Sequence, residues 1–156
     1  MKRLSEEITK FFQEQGFAIV STIDKNGSPH SSCKGIVKIN QRGLIYLLDL
    51  YRERTYDNLR RDPHMSITAV DEHRFSGYCL KGKAKIIAGE KLKSQVIKAW
   101  EEKLTSRITR RLIKNIKGER GHLDHPEALL PKPEYVIVME VGEIVDLTAH
   151  HIRQKY

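Results

Sequence analysis

Alternation of apolar and polar residues is the main feature of the first half of the chain. Apolar side chains recur at every second position in several short runs rich in valine, isoleucine and threonine, which is typical of β-strands with one buried face. A similar run follows near the carboxyl end. The pattern predicts six strands, at residues 17–23, 30–39, 44–50, 64–70, 78–88 and 134–147.

Apolar residues spaced three or four positions apart predict helices around these strands. The predicted helices lie at residues 5–15, 92–104 and 106–116, and the last of them is strongly basic. A further short helix follows the third strand. Thr55 is a good N-cap for it, and Pro63 ends the segment.

Tight-turn sequences join most of the strands. Asn26-Gly27 lies between the first and second strands, and such a pair favours a two-residue hairpin turn. No internal repeat and no linker divide the sequence, so we expect a single domain over residues 1–156. Six antiparallel strands with flanking helices predict a mainly β protein, a small barrel whose closure removes exposed strand edges.

The composition adds charge to this picture. The chain has a formal net charge of +8 and a pI of about 9.5. Such an excess attracts nucleic acids, phosphorylated ligands or acidic lipid surfaces without choosing among them. No apolar run is long enough to cross a membrane and the first residues lack a signal-peptide core, so we expect a cytoplasmic protein. Cys33 and Cys79 are expected to be reduced thiols buried in strands.

The segment RERTYDNLRRDP, residues 52–63, places candidate chemistry after the third strand. The first turn of a helix has unpaired N–H groups and the positive end of the helix dipole, which together favour an anion. Arg54 adds a planar charged group suited to phosphate oxygens, and Lys34 on the second strand adds positive charge. These features predict a phosphate pocket at the rim of the barrel. The alternative is a solvated, arginine-rich turn.

Four pieces of the sequence, in order, resemble the pyridoxamine 5′-phosphate oxidase-like family of FMN-binding split barrels. They are NGSP, SSCKGI, IYLLDLYRERTYDNLRRDPHMSITAV and LKGKAKII, and the resemblance spans residues 11–88. The family carries an Arg-Lys or similar pair shortly before an Asn-Pro or Asp-Pro. Here Arg54-Thr55 precedes Asp62-Pro63 in the same way, with Thr55 in place of the more usual second cation.

The resemblance implies a six-stranded antiparallel split barrel that binds FMN. In the family, the second strand lies along the isoalloxazine ring and bears a lysine that approaches the phosphate, the end of the third strand touches the ring and the ribityl chain, and the pair after it binds the 5′-phosphate. The cofactor-binding residues implied here are Ser31, Ser32, Cys33, Lys34, Leu48, Asp49, Arg54, Thr55 and Asn58. Asn58 would support the loop or, alternatively, face solvent.

The resemblance further implies a homodimer with the flavin at the subunit interface, and a small-molecule electron donor or acceptor. Two departures bear on the reaction. Gly77 stands where the oxidases proper carry a glutamine near the flavin, and the final residues, DLTAHHIRQKY, do not match the motif that grips pyridoxal phosphate. We therefore expect a small flavin oxidoreductase that does not act on vitamin B6, and we assign no catalytic residue.

Several alternatives stay open at this point. The first alternative keeps the same fold and replaces FMN with F420 or haem as the ligand. From another class, the basic segment over residues 103–120 suits a non-catalytic nucleic-acid-binding module, although neither nucleic acid nor a membrane is the expected partner. His122, Asp124 and His125 lie close together in GHLDH, but no fourth ligand accompanies them and no metal site is expected. The sequence does not identify the physiological substrate.

Overall fold

Residues 1–15, 17–49, 52–88, 98, 102 and 135–149 are described by the computed structural model of the chain. Within these ranges, six antiparallel strands form a closed barrel in the order β1-β2-β3-β6-β5-β4. The strands are β1 (Ala18–Ile23), β2 (Pro29–Ile39), β3 (Leu44–Asp49), β4 (His64–Asp71), β5 (Ser76–Ala88) and β6 (Tyr135–Asp146). Helices α1 (Glu6–Glu14) and α2 (Arg54–Arg61) accompany them. The predicted mainly β, six-stranded antiparallel barrel is confirmed.

The strand boundaries follow the predicted ones to within two residues. The β1–β2 turn contains Asn26-Gly27, and Gly27 has a φ of 84°, which glycine adopts without strain. Residues 98 and 102 are helical. The rest of the helices predicted over 92–116, and the whole of the basic segment 103–120, lie outside the described residues.

The inward faces of the strands form the main apolar core. Its fully buried members include Val20, Ile45, Leu47, Ile67, Leu80, Ile137 and Met139. Burying a side chain of this size stabilises the fold by roughly 1.5–3 kcal/mol relative to leaving it exposed. On β5, Leu80 and Ala84 are buried whereas Lys81, Lys83 and Lys85 are exposed, as their alternation predicts.

Helix α1 closes the end of the barrel that bears the β2–β3 and β4–β5 turns. Ser5 caps the helix by accepting a hydrogen bond from the Ile8 N–H at 3.2 Å. Phe11 and Phe12 are buried, and the Phe11 ring meets Tyr78 of β5 edge to face, with ring centroids 5.2 Å apart. The predicted first helix is therefore confirmed, and it shields the core from solvent at this end.

Helix α2 covers the opposite end, next to the β1–β2 turn and the start of β4. It begins at Arg54 with Glu53 as its N-cap, so the capping role predicted for Thr55 is wrong. Thr55 is buried, and its hydroxyl oxygen lies 3.1 Å from that of Ser32 on β2, so the hydroxyl is committed to this contact. Leu59 joins the core. The helix therefore turns one face, partly polar, toward the barrel.

Candidate functional site

Buried polar side chains attach helix α2 to the β1–β2 turn. Asn58 is 3% exposed, and its Nδ2 donates to Thr22 Oγ1 at 3.0 Å and to Asp24 Oδ1 at 2.8 Å. Its Oδ1 accepts from Nη2 of Arg61 at 3.3 Å, and the same nitrogen donates to the Ile23 carbonyl. The alternative in which Asn58 faces solvent is wrong, because the helix turns this side chain toward the barrel. These bonds hold α2 in a fixed position against the turn.

Arg54 is the first residue of α2 and lies at the edge of this polar cluster. Its side chain is 66% exposed, and its Nη1 lies 3.7 Å from Oδ2 of Asp24. An ion pair of this length and exposure stabilises the fold by no more than about 1 kcal/mol. Arg54 thus presents an exposed guanidinium beside the unpaired N–H groups of the first helical turn, a combination suited to an anion.

Lys34 and Asp49 form a second ion pair, and this one is buried. Nζ of Lys34 lies 2.8 Å from Oδ1 of Asp49, and the two side chains are 12% and 6% exposed. Each is two residues from an inward-facing core residue of its own strand, Ile36 on β2 and Leu47 on β3, so both lie on the inner side of the barrel. Oδ2 of Asp49 has no hydrogen-bond partner within the described residues. A buried acceptor of this kind is costly and suits a donor supplied by a ligand.

Tyr135, the first residue of β6, completes this inner cluster. It is opposite Asp49 in the β3–β6 register, and its ring meets that of Tyr56 on α2 edge to face, with centroids 4.9 Å apart. Burial raises the pKa of Tyr135 well above its ordinary value, and its hydrogen bond with Asp49 and the negative charge there act in the same direction. The phenol therefore stays protonated at neutral pH. Residue types alone do not indicate Tyr135, since only the register across two strands brings it to Asp49.

Other residues predicted to bind the cofactor lie on the outside of the barrel. Ser31 and Cys33 alternate along β2 with inward-facing residues and so face away from the core. Leu48 is on the outer face of β3, in an apolar cluster that includes Val37. Cys33 and Cys79 are free thiols, but Cys33 is exposed and Cys79 is only half-buried, so the predicted burial is wrong for both. The implied cofactor-binding residues thus divide between an inner group beneath α2 and an outer group along β2 and β3.

A groove of about 620 Å³ crosses the outer face of β1, β4, β5 and β6, and none of the implied cofactor-binding residues lines it. Its charged side chains have both signs, with Lys81 and Lys83 on β5, and Glu140 and Glu143 on β6. Nζ of Lys81 lies 3.1 Å from Oε1 of Glu143. The carboxylates balance the cations, so the groove lacks the excess positive charge expected of a phosphate site.

An uncharged row of side chains runs beside this groove. The strand register places Cys33 opposite Ile19, Ile19 opposite Thr68, Thr68 opposite Cys79, and Cys79 opposite Val145. These five residues, here called the outer row, lie on β2, β1, β4, β5 and β6 in turn. Ile19 at its centre is 42% exposed. A continuous uncharged stripe across five strands is suited to contact with another protein surface.

In the described part of the chain, no group of three or more His, Cys, Asp or Glu side chains could hold a metal ion. No helix there is both long and apolar enough to cross a bilayer. The GHLDH segment and the residues from His150 onward lie outside the described residues.

The family model for pyridoxamine 5′-phosphate oxidase matches residues 4–130 of the chain. This range contains both helices, strands β1 to β5 and all the implied cofactor-binding residues. No curated protein sequence matches the chain.

Solved structures share the fold at low sequence identity. HupZ from Group A Streptococcus has a TM-score of 0.64 at 18% identity, with 94% of this chain and 95% of HupZ covered. A protein named F420 reductase has a TM-score of 0.57 at 12% identity, with 91% of this chain and 98% of that chain covered. The haem storage protein HutZ from Vibrio cholerae has a TM-score of 0.52 at 20% identity, covering 92% of this chain and 94% of its own. At these identities the likeness shows the fold alone.

Proposed function

The chain belongs to the pyridoxamine 5′-phosphate oxidase family, and on that basis we propose that it is an FMN-binding flavoprotein acting as a small flavin oxidoreductase. The observation that carries the proposal is Arg54, whose exposed guanidinium stands at the N-terminus of a helix that is fastened in place. A bound flavin supplies hydride or electron transfer, so the protein has to bind and orient it. The reaction partner is a small-molecule electron donor or acceptor.

Phosphate binding falls to Arg54 and to the first turn of α2. A guanidinium pairs with phosphate through charge-assisted hydrogen bonds, and the N–H groups at a helix start favour an anion. Thr55 contacts Ser32, and Asn58 contacts Thr22, so the turn is already in position before a ligand arrives. A site that needs no rearrangement binds more tightly than one that must be ordered first.

The inner cluster suits the ribityl chain better than the phosphate. Oδ2 of Asp49 lacks a donor within the described residues, and the ribityl hydroxyls are donors. Lys34 compensates the carboxylate charge, and Tyr135 keeps a neutral phenol beside it. In the proposal, Ser31, Ser32, Cys33 and Leu48 follow the flavin along β2 and β3.

A homodimer with the flavin at the subunit interface is part of the proposal. The outer row offers uncharged surface to a second copy of the chain. The neighbouring groove has cations on one flank and carboxylates on the other. Under two-fold symmetry each flank can meet its opposite, so this face is self-complementary.

F420 or haem in place of FMN is the alternative within this fold. A protein named F420 reductase and the haem storage protein HutZ share the fold, which is why these two ligands are retained. The nucleic-acid-binding alternative depends on the basic segment 103–120, all of which lies outside the described residues. The chromophore of the purified protein separates all three alternatives from FMN.

Identification of the ligand released from the purified protein tests the proposal. We expect a yellow protein that releases FMN on acid treatment, identified by mass, because the chain offers a phosphate site and lacks a Gly-x-Gly-x-x-Gly pyrophosphate motif. Release of F420 or haem would select the corresponding alternative. A colourless protein that also fails to bind FMN on titration would refute the proposal.

A further inference from the structure

Each of the two cations expected to approach the phosphate is paired with a carboxylate. Lys34 pairs with Asp49 at 2.8 Å in the interior, whereas Arg54 meets Asp24 at 3.7 Å and is 66% exposed. Separating a buried pair leaves an uncompensated charge in the interior, so that pair is held together. An exposed pair of the second kind exchanges partners at little cost. Of the two cations, Arg54 is therefore the one available to an incoming anion.

Asp24 is fixed more firmly than the arginine it meets. Its Oδ1 accepts the 2.8 Å hydrogen bond from the buried Asn58. Its backbone N–H donates to the Ser28 carbonyl at 2.8 Å, and its carbonyl accepts from the Gly27 N–H at 2.9 Å, both within the β1–β2 turn. The Asp24 side chain is 22% exposed, against 66% for Arg54. When an anion binds, the guanidinium is the partner that moves.

We propose that Asp24 is a specificity-determining residue of the phosphate site, because its carboxylate competes with the phosphate of the ligand for Arg54. The inference rests on the proposed function. A phosphorylated flavin must take Arg54 from Asp24 and then lie near a carboxylate of like charge. A flavin without the phosphate has no interaction with Arg54 to gain. Asp24 thus limits the advantage of FMN over riboflavin.

Asp24→Asn tests this competition, because the carboxamide removes the charge and keeps an oxygen that can accept from Asn58. The flavin-free full-length chain is titrated with FMN and with riboflavin. We expect Asp24→Asn to bind FMN about two- to fivefold more tightly than the wild type does. This factor corresponds to the free energy of one exposed ion pair. Riboflavin affinity should not change.

Asp71→Asn is the matched control. Oδ2 of Asp71 lies 3.5 Å from Nε of Arg74, and the two side chains are 23% and 72% exposed, so this variant breaks an equivalent ion pair at the β4–β5 turn, away from α2, and leaves Asp24 in place. Its ratio of FMN to riboflavin affinity should stay at the wild-type value. Asp24→Ser should reproduce the gain of Asp24→Asn, and thermal melting of each variant reports that it is folded.

A double-mutant cycle separates competition for Arg54 from direct repulsion. In an Arg54→Ala background, Asp24→Asn should no longer strengthen FMN binding, since there is no guanidinium to release. The inference is overturned by an unchanged ratio in both Asp24 variants, by an equal gain in Asp71→Asn, or by a gain that persists with Arg54→Ala. Each of these outcomes leaves the proposed function intact. A wild-type chain that binds neither flavin would overturn both.

Discussion

Lys34 and Arg54 carry the same charge, and burial gives them different roles. Lys34 faces the interior from β2 and is paired with Asp49 at 2.8 Å. Arg54 stands two-thirds exposed at a helix start, with a looser partner. A buried charge must keep its counter-ion, while an exposed one can change partners. Lys34 therefore stabilises the end of the barrel, and Arg54 is left to meet a ligand.

Replacing Lys34 by methionine tests this division of roles. We expect Lys34→Met to lower the free energy of unfolding by about 3–5 kcal/mol, because Asp49 becomes a buried charge without a partner. Lys81→Met is the control, since Lys81 and Glu143 form a pair with side chains 50% and 57% exposed and should lose no more than about 1 kcal/mol. Urea unfolding measures both. Similar losses of unfolding free energy in Lys34→Met and Lys81→Met would mean that burial does not make the Lys34–Asp49 pair more important for stability than the Lys81–Glu143 pair.

Sequence could predict Arg54 but not the pair beneath the helix. An arginine beside a helix start is visible from local residue types. The contacts among Lys34, Asp49 and Tyr135 depend instead on the register of three strands and on which face of each strand turns inward. Thr55 has the local chemistry of an N-cap, and only its contact with Ser32 gives it another role. The roles of these residues therefore depend on long-range contacts, which local residue types do not predict.

At the scale of secondary-structure elements, helix α2 provides the candidate site at one end of the barrel. It brings Arg54 to the surface and Asn58 into the interior on a single short helix. The strands could be predicted closely because alternation at every second residue reports which face is buried. The N-cap of α2 is Glu53 and not the predicted Thr55, which lies inside the helix and contacts Ser32 on β2.

The β4–β5 hairpin bears on the choice of substrate. Gly77 is buried, and a Cβ there would lie 2.8 Å from the Ala69 carbonyl oxygen and 2.9 Å from Cγ1 of Val70. A glutamine, which the oxidases proper carry at this place, would therefore require the backbone to shift. We expect no formation of pyridoxal 5′-phosphate from pyridoxine or pyridoxamine 5′-phosphate. An oxygen-dependent assay checks this, and sustained turnover at ordinary enzyme rates would contradict the expectation.

At the scale of the whole molecule, the net charge affects the binding of an anionic ligand, and the outer row affects association with a second copy of the chain. A net charge of +8 attracts an anionic ligand but opposes the approach of a second copy of the chain. Association therefore requires a surface where charge is absent or balanced. The outer row is uncharged, and the groove beside it carries both signs. The fold could be predicted from alternation, whereas this surface becomes visible only when five strands are placed side by side.

The proposed dimer has a direct test in light scattering. We expect a mass of about twice the 18.1 kDa of the chain. Ile19→Lys should shift the mass toward the monomer, because it brings a like charge from each copy into the centre of the outer row. Gln13→Lys adds the same charge on exposed α1, outside the outer row, and should leave the dimer intact. A stable wild-type monomer with full flavin affinity would rule out the proposed interface.

The central claim is that Arg54 binds the phosphate of FMN. Paired titrations with FMN and riboflavin measure this role. Removing one charge-assisted hydrogen-bonding partner costs about 1.5–3 kcal/mol, or roughly 10- to 150-fold in affinity. Arg54→Ala should weaken FMN binding by that factor. Riboflavin lacks the phosphate and should bind nearly as it does to the wild type.

Arg60→Ala is the control for this measurement, because Arg60 is exposed in the last turn of α2, with its guanidinium 5.9 Å from the Tyr56 ring centroid. Arg61 is unsuitable, since it donates to Ile23 and Asn58. Titration at two salt concentrations separates contact from long-range attraction, which screening weakens. We expect a loss specific to FMN in Arg54→Ala that persists at the higher salt concentration. Equal weakening of FMN binding in Arg54→Ala and Arg60→Ala would show that this helix start is not the phosphate site.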